Sequence, residues 1–237
     1  MKKQYIYSTQ SSLWGDAVCL GFGTDEFYIK EIDRKLANDI IVKNHYSKKY
    51  FNNSYIHLGI FNAEYIIGVL QYGHLLNNNS IKSIVSGAKK GDAAELNRMW
   101  IADNVGDYPE SRAISYSLKY IRKKYPKIKW IQSFADERCG GFGIVYQACS
   151  FNYYGEHLST FYTDGYNFYH NIQVTASRDK AGIQVQDKDC LEQVNLRQFR
   201  YIKFLDKREK KKCLFKEQPY PKHYEETKET HTDTKNT

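Results

Sequence analysis

Apolar positions first recur at helical spacing between Lys30 and His45. There Ile32, Leu36, Ile40 and Ile41 share one side of KEIDRKLANDIIVKNH and predict an amphipathic helix ending near NHYSKKY. The period then shortens to two. SYIHLGIF and EYIIGVLQYG are β-rich runs separated by Asn62 and Ala63, the pattern of an antiparallel hairpin. LLNNNSIKSIVSGAKKGD reads as a polar loop, and AAELNRMWIAD as a strand in which Glu95, Asn97 and Met99 alternate with Leu96, Arg98 and Trp100. ESRAISYSLKYIRKKYP is the clearest helix: Pro109 suits its first turn, Glu110 meets the positive end of the dipole, and Lys123 and Lys124 meet the negative end. Ile114, Leu118, Ile121 and Tyr125 form its stripe to be buried. IKWIQSFAD is apolar on both faces, as a central strand is. GFGIVYQAC reads as a short helix, FNYYGEHLSTFYTDGYNFYHNI as late strands turning at TDG, and LRQFRYIKFL as a closing strand. Residues 173–198 are polar and carry no readable period.

This order of elements makes one α/β (α+β) domain with a mixed central sheet and flanking helices. We expect residues 1–29 to be an N-terminal extension with a first strand and 30–205 a catalytic domain. Residues 206–237 form a basic, then polar tail whose last stretch, HYEETKETHTDTKNT, lacks the apolar content to order itself. A chain of 237 residues buries one substantial core without needing two domains. Runs such as YIIGVL are too short to span a bilayer and MKKQYIYSTQ has no apolar leader core, so the expectation is a soluble, cytoplasmic protein with no membrane partner. The five cysteines include no C-x-x-C pair, which fits reduced thiols better than disulfides or a zinc knuckle. A formal charge of +8 favours acidic partners, nucleic acid first and an anionic cofactor second, and 21 tyrosines with 12 phenylalanines serve either a core or base stacking.

The stretch WIQSFADERCGGFGIVYQACSFNYYG, residues 130–155, ends an apolar run on Asp136 and turns through glycines to Tyr146. A carboxylate at the C-terminal end of a central strand marks many α/β active sites. The plainer alternative is that Asp136 caps the helix and Tyr146 is a core aromatic. Arg98 is a permanent charge in an apolar strand and needs a partner: Glu95, Asp136 or a phosphate. His45, at a helix C-terminus, is on its own a dipole-stabilising residue.

IVYQACSFNYYG, a tyrosine followed after three residues by a small residue, Phe and a nearby glycine, resembles the end of the fourth helix of the GCN5-related N-acetyltransferase fold, with Ser150 where glycine is usual. In that fold two central parallel strands splay apart to admit acetyl coenzyme A. A narrower resemblance covers most of residues 40–220: NHYSKKY, LGIFN with IIGVLQYG, ELNRMWIAD, ESRAISYSLKYI, IKWIQSFADERCG, GIVYQA and RYIKFL with PYPK. Seven pieces in this order are similar to the Mom family, phage DNA-modification proteins that convert adenine to a methylcarbamoylated form resistant to host restriction.

The resemblance implies an enzyme acting on the N6 amine of adenine in double-stranded DNA with a small-molecule group donor, acetyl-CoA or another. It implies Asp136, Tyr146, Tyr46 and Arg98 as catalytic residues, and an iron site built from His45, Tyr46, Asp136 and Tyr146, whose nitrogen and oxygen donors suit that metal. The stretch NVGDYPESRA has one glycine where acetyltransferases carry a basic, glycine-rich phosphate loop, leaving Ser111 and Arg112 to contact a cofactor. Lys48, Lys49, Lys119, Arg122 and Lys123 are the DNA-binding candidates. Two alternatives stand beside this reading: an ordinary acetyl-CoA-dependent N-acetyltransferase, and a non-catalytic DNA-binding anti-restriction protein.

Overall fold

Asp33 opens the first helix by accepting hydrogen bonds from the backbone amides of Lys35 and Leu36, and α1 runs Arg34–Asn44. Lys30 and Glu31, expected inside that helix, instead end a strand, because the run from Phe27 alternates and pairs with the following hairpin, Glu31 opposite Leu58. The structure is a computed structural model that describes residues 4–11, 17–103, 105–139, 141–166, 168–170 and 190–222.

Its strands are β1 (Gln4–Ser11), β2 (Ala17–Gly23), β3 (Phe27–Glu31), β4 (Ser54–Asn62), β5 (Tyr65–Gly73), β6 (Ala93–Ile101), β7 (Trp130–Asp136), β8 (Asn152–Thr163), β9 (Phe168–His170) and β10 (Glu192–Phe204). The remaining helices are α2 (Ile81–Ile84), α3 (Pro109–Lys124), α4 (Ile144–Ala148) and α5 (Lys207–Lys210). One mixed sheet holds all ten strands in the order β1-β2-β3-β4-β5-β6-β7-β10-β8-β9. The closing strand therefore lies inside the sheet, between β7 and β8, and β10 begins at Glu192 within the stretch that showed no period. Residues 173–189 of that stretch lie outside the described residues.

The only parallel pair among the described strands is β6 with β7, and it holds for three positions, Ala93–Glu95 opposite Trp130–Gln132. Beyond Glu95 and Gln132 the two strands part. This gap positions everything that follows.

The two faces of the sheet are covered by different helices. On one, Leu70, Tyr72, Leu96, Ile131 and Ala135 pack with Ala113, Ile114 and Ile121 of α3 and with Tyr146 of α4. On the other, Val69 packs with Ala37 and Ile41 of α1, with Trp100 against them, and Trp130 and Ile202 pack under α2. Side chains alternate along a strand, so Asp136, next to Ala135, belongs to the α1 face.

The polar loop expected from Leu75 to Asp92 is more structured than its composition implies. Leu75, Ile81, Ile84, Val85 and Ala88 bury against Trp130, since apolar residues every three or four positions can form short helical turns despite polar neighbours. Residues 206–222 of the expected tail also pack on the body, with Cys213 bridging Val85 and Gln218 bridging Tyr153. The acidic and polar end, 223–237, lies outside the described residues. Among the described residues no helix is long and apolar enough to cross a membrane.

Candidate active site

The chain crosses from one face of the sheet to the other between Asp136 and Tyr146, which answers why a glycine-rich turn separates them. Asp136 ends β7 on the α1 face and is held by Arg138, whose Nε and Nη2 donate to Oδ2 at 2.8 and 2.5 Å while its backbone amide donates to Oδ1 at 3.1 Å. The Asp136 side chain therefore does not cap α4, which begins at Ile144 after Gly143 in a left-handed conformation. Tyr146 points into the core on the α3 face, 9% exposed, with its ring centroid 5.6 Å from Phe151 and 5.4 Å from Tyr201. Ser150 has φ of +56°, the conformation that explains why glycine is usual at this position in the resembling fold.

Arg138 is a hub. Its guanidinium lies 5.4 Å from the Tyr46 ring centroid and 4.4 Å from that of Phe161, and it donates to the Phe168 carbonyl at 3.5 Å. It thus ties the end of β7 to the turn after α1 and to the β8–β9 hairpin. Tyr46 is 59% exposed and stacks on His45, with centroids 4.2 Å apart.

Arg98 takes none of the carboxylate partners expected from sequence. Its Nε donates to the Lys49 carbonyl at 3.0 Å and its Nη1 to the Asn97 carbonyl at 2.7 Å, so it staples the segment after α1 to β6. Glu95 is instead buried beside the point where β6 and β7 part, accepting from Gln132 Nε2 at 3.1 Å and Asn97 Nδ2 at 3.3 Å. Burial holds its carboxyl above the usual range against those bonds. The Lys49 ammonium is buried without a hydrogen-bond partner among the described residues, and burial followed by the Arg98 charge lowers its affinity for a proton.

His45 is 5% exposed. The Ser47 amide donates to its Nδ1 at 3.1 Å, which places the proton of the neutral ring on Nε2. Burial first, then the charges of Arg98, Arg138 and Lys48, push its pKa down to about 3. In this arrangement the residues expected to hold iron do not offer an open donor set. Two guanidinium groups crowd His45, its Nε2 carries the proton, Arg138 occupies both Asp136 oxygens, and Tyr146 lies in the core. Among the described residues no three His, Cys, Asp or Glu side chains cluster as a metal site would require.

The depressed pKa sets a stability expectation. Below pH 6.5 the unfolded chain binds a proton that folded His45 refuses, so its contribution is intact above that pH and lost as pH falls toward 3. The loss runs at about 1.4 kcal/mol per pH unit, or about 2 kcal/mol at pH 5. Urea unfolding at pH 7.5 and pH 5 checks this: His45→Gln flattens the difference, and an undiminished pH dependence in that variant refutes it.

Ser111 and Arg112 stand at the start of α3, where both side chains make contacts within the protein. The Ser111 hydroxyl donates to the Tyr108 carbonyl at 3.1 Å, and the Arg112 guanidinium lies 4.2 Å from the Phe27 ring centroid. Lys119, Arg122 and Lys123 ride on α3, across the sheet from Asp136 and His45, with Lys119 over Phe22 at 5.5 Å. Lys48 and Lys49 adjoin the Arg98 cluster, and Lys48 donates to the Lys43 carbonyl at 2.8 Å.

Sequence reasoning passed over Arg138, Gln132 and Asn97. Their signals were present: an arginine two positions past a strand-end carboxylate, and amides inside apolar strands that need buried partners. The assembled site brings the Asp136–Arg138 ion pair beside Tyr46, with a neutral His45 under the charges of Arg98 and Arg138. Such a set can hold an anionic or carbonyl oxygen and has one group able to take a proton.

Among solved structures, the chain is similar to Arabidopsis thaliana NAA60 in complex with acetyl-CoA, at TM-score 0.48 and 10% identity over 76% of this chain and 99% of that one. It is also similar to a ribosomal-protein-S5-alanine acetyltransferase from Vibrio fischeri, at TM-score 0.48 and 11% identity over 79% and 97%. The protein named methylcarbamoylase mom of Escherichia phage Mu is 43% identical over 227 residues, 93% of this chain and 94% of that protein. The family described as the Mom protein family matches residues 26–222, a span holding every strand from β3 to β10 and the whole Asp136–Arg138–His45 cluster, so the chain belongs to the Mom protein family.

Proposed function

We propose that this chain is a methylcarbamoylating transferase acting on the N6 amine of adenine in double-stranded DNA. The observation that carries the reading is 43% identity to a methylcarbamoylase along nearly its whole length. The resemblance of the sequence motifs adds adenine as the acceptor and protection from host restriction as the consequence. The N6 lone pair is delocalised into the ring and the amine is buried in a duplex, so the base has to be flipped and the amine relieved of a proton as it attacks.

In this reading Asp136 takes that proton. Arg98, Arg138 and the Nε2–H of His45 bind the donor's oxygen, and Tyr46 walls the entry. The new bond joins N6 to the donor's methylene carbon as the bond to the leaving group breaks. The acetyl group of acetyl coenzyme A carries no nitrogen, so its transfer alone cannot supply a carboxamide; the donor is a small molecule that brings one. DNA approaches from the α1 face, where Lys48 and Lys49 lie, rather than along α3.

Nucleoside mass spectrometry of DNA from bacterial cells expressing the chain is the test. An adenine adduct with a carboxamide-bearing methylene is the expected product. N-acetyladenine, or turnover of small amines with acetyl coenzyme A and no DNA, would favour an ordinary acetyltransferase. Nucleosides unchanged while the purified protein binds DNA would favour a non-catalytic role.

A further inference from the structure

We propose that Tyr166, at the tip of the β8–β9 hairpin, is a wedge that enters the base stack beside the target adenine and holds open the space the flipped base leaves. The inference rests on the DNA-modifying reading above.

Tyr166 is 94% exposed, a rare position for a residue with so much apolar surface and no core role. The turn that carries it is braced. The Gly165 amide donates to Thr163 Oγ1 at 3.0 Å, the Tyr166 amide to Asp164 Oδ1 at 2.9 Å, and the Tyr169 hydroxyl to Asp164 Oδ2 at 2.8 Å. Asp164, the carboxylate nearest the tip, is thereby committed to the turn. Phe168 and Leu158 add exposed apolar surface along the same hairpin.

The hairpin is also aimed. Arg138 reaches the Phe168 carbonyl with one side of its guanidinium and Asp136 with the other, and stacks over Phe161 of β8. Tyr166 lies two positions before that tether, at most about 7 Å of chain away. An aromatic on a rigid arm this close to the proposed proton acceptor has the reach of one or two base-pair steps. Apolar side chains that insert at a step offset the unstacking that flipping requires.

Two variants and two readouts test it. Tyr166→Ala is expected to lower the adenine adduct in duplex DNA from expressing cells by about 10-fold, matching the ~1–3 kcal/mol that one aromatic–base stack contributes. Tyr166→Trp keeps it within about two-fold of wild type, since stacking rather than the hydroxyl is what counts. With purified protein, a duplex carrying 2-aminopurine at a position modified in cells brightens with wild type and Tyr166→Trp but not with Tyr166→Ala. Equal adduct or equal brightening in Tyr166→Ala overturns the wedge. Absence of any adduct with the wild type instead strikes the DNA-modifying reading on which it rests. Far-UV circular dichroism unchanged across the variants excludes misfolding.

Discussion

Asp136→Ala reduces the adenine adduct in cellular DNA by about 100-fold or more, and Arg138→Ala does nearly the same. The first removes the proposed proton acceptor, a role worth roughly 10²–10⁴-fold. It also releases Arg138, which makes three contacts with Asp136. Arg138→Ala removes the ion-pair partner of Asp136 and unties the hairpin and Tyr46 from the end of β7. Because the two act as a unit, the double variant should be no worse than Asp136→Ala alone. Asp136→Asn keeps one acceptor for Arg138 and preserves the tether but cannot take the proton. Mass spectrometry that finds Asp136→Asn as active as wild type would reduce Asp136 to a positioning residue, and additive losses in the double variant would dissolve the unit.

Gly143→Ala has the largest expected effect on stability, a loss of about 3 kcal/mol, from a left-handed backbone worth ~1–2 kcal/mol and an overpacked contact worth ~1–3 kcal/mol. Gly143 has φ of +82°, and an added Cβ would sit 2.4 Å from Tyr201 Cε2 and 3.1 Å from the Ala135 Cβ. Tyr201 has little freedom to retreat, since its hydroxyl donates to the Phe142 carbonyl and accepts from Gln147 Nε2. For a chain of this size the midpoint of thermal unfolding falls by roughly 6–12 °C. Gly106→Ala is the control: φ is +89° there too, but nothing lies within 4 Å of the added methyl, so only the backbone cost remains. Calorimetry showing equal losses at both positions would mean that Tyr201 yields easily.

Much of the fold was legible because it depends on local periodicity. The hairpin of β4 and β5, strands β6 and β7, and α3 with Pro109 in its first turn follow from patterns of two and 3.6 residues and from end signals that act within a turn. Where reading failed, a non-local pairing had overridden the local pattern. Lys30 and Glu31 adjoin a helical stripe but end β3, which pairs with β4; Leu75 to Ala88 look like a polar loop, yet their apolar minority finds Trp130. Strand β10 could be read as a strand but not as an interior one, since its neighbours β7 and β8 are chosen by the whole sheet.

The site divides in the same way. His45, Tyr46, Arg98 and Asp136 could be named from residue type and motif, and the structure draws them together at the gap between β6 and β7. Which group partners which could not be read from the chain. Arg98 lay three positions from Glu95 and chose backbone carbonyls, while Asp136 was taken by an arginine two residues away. Tyr146 and Asp136, ten residues apart, were separated by the sheet itself, and the DNA-binding candidates on α3 lie across that sheet from Asp136. Sequence by itself determined the family, the periodic elements and the inventory of reactive groups, because those rest on residue identity and short-range geometry. Only the tertiary structure decided facing, pairing and burial, because a side chain's charge and reach depend on the neighbours that distant segments bring to it.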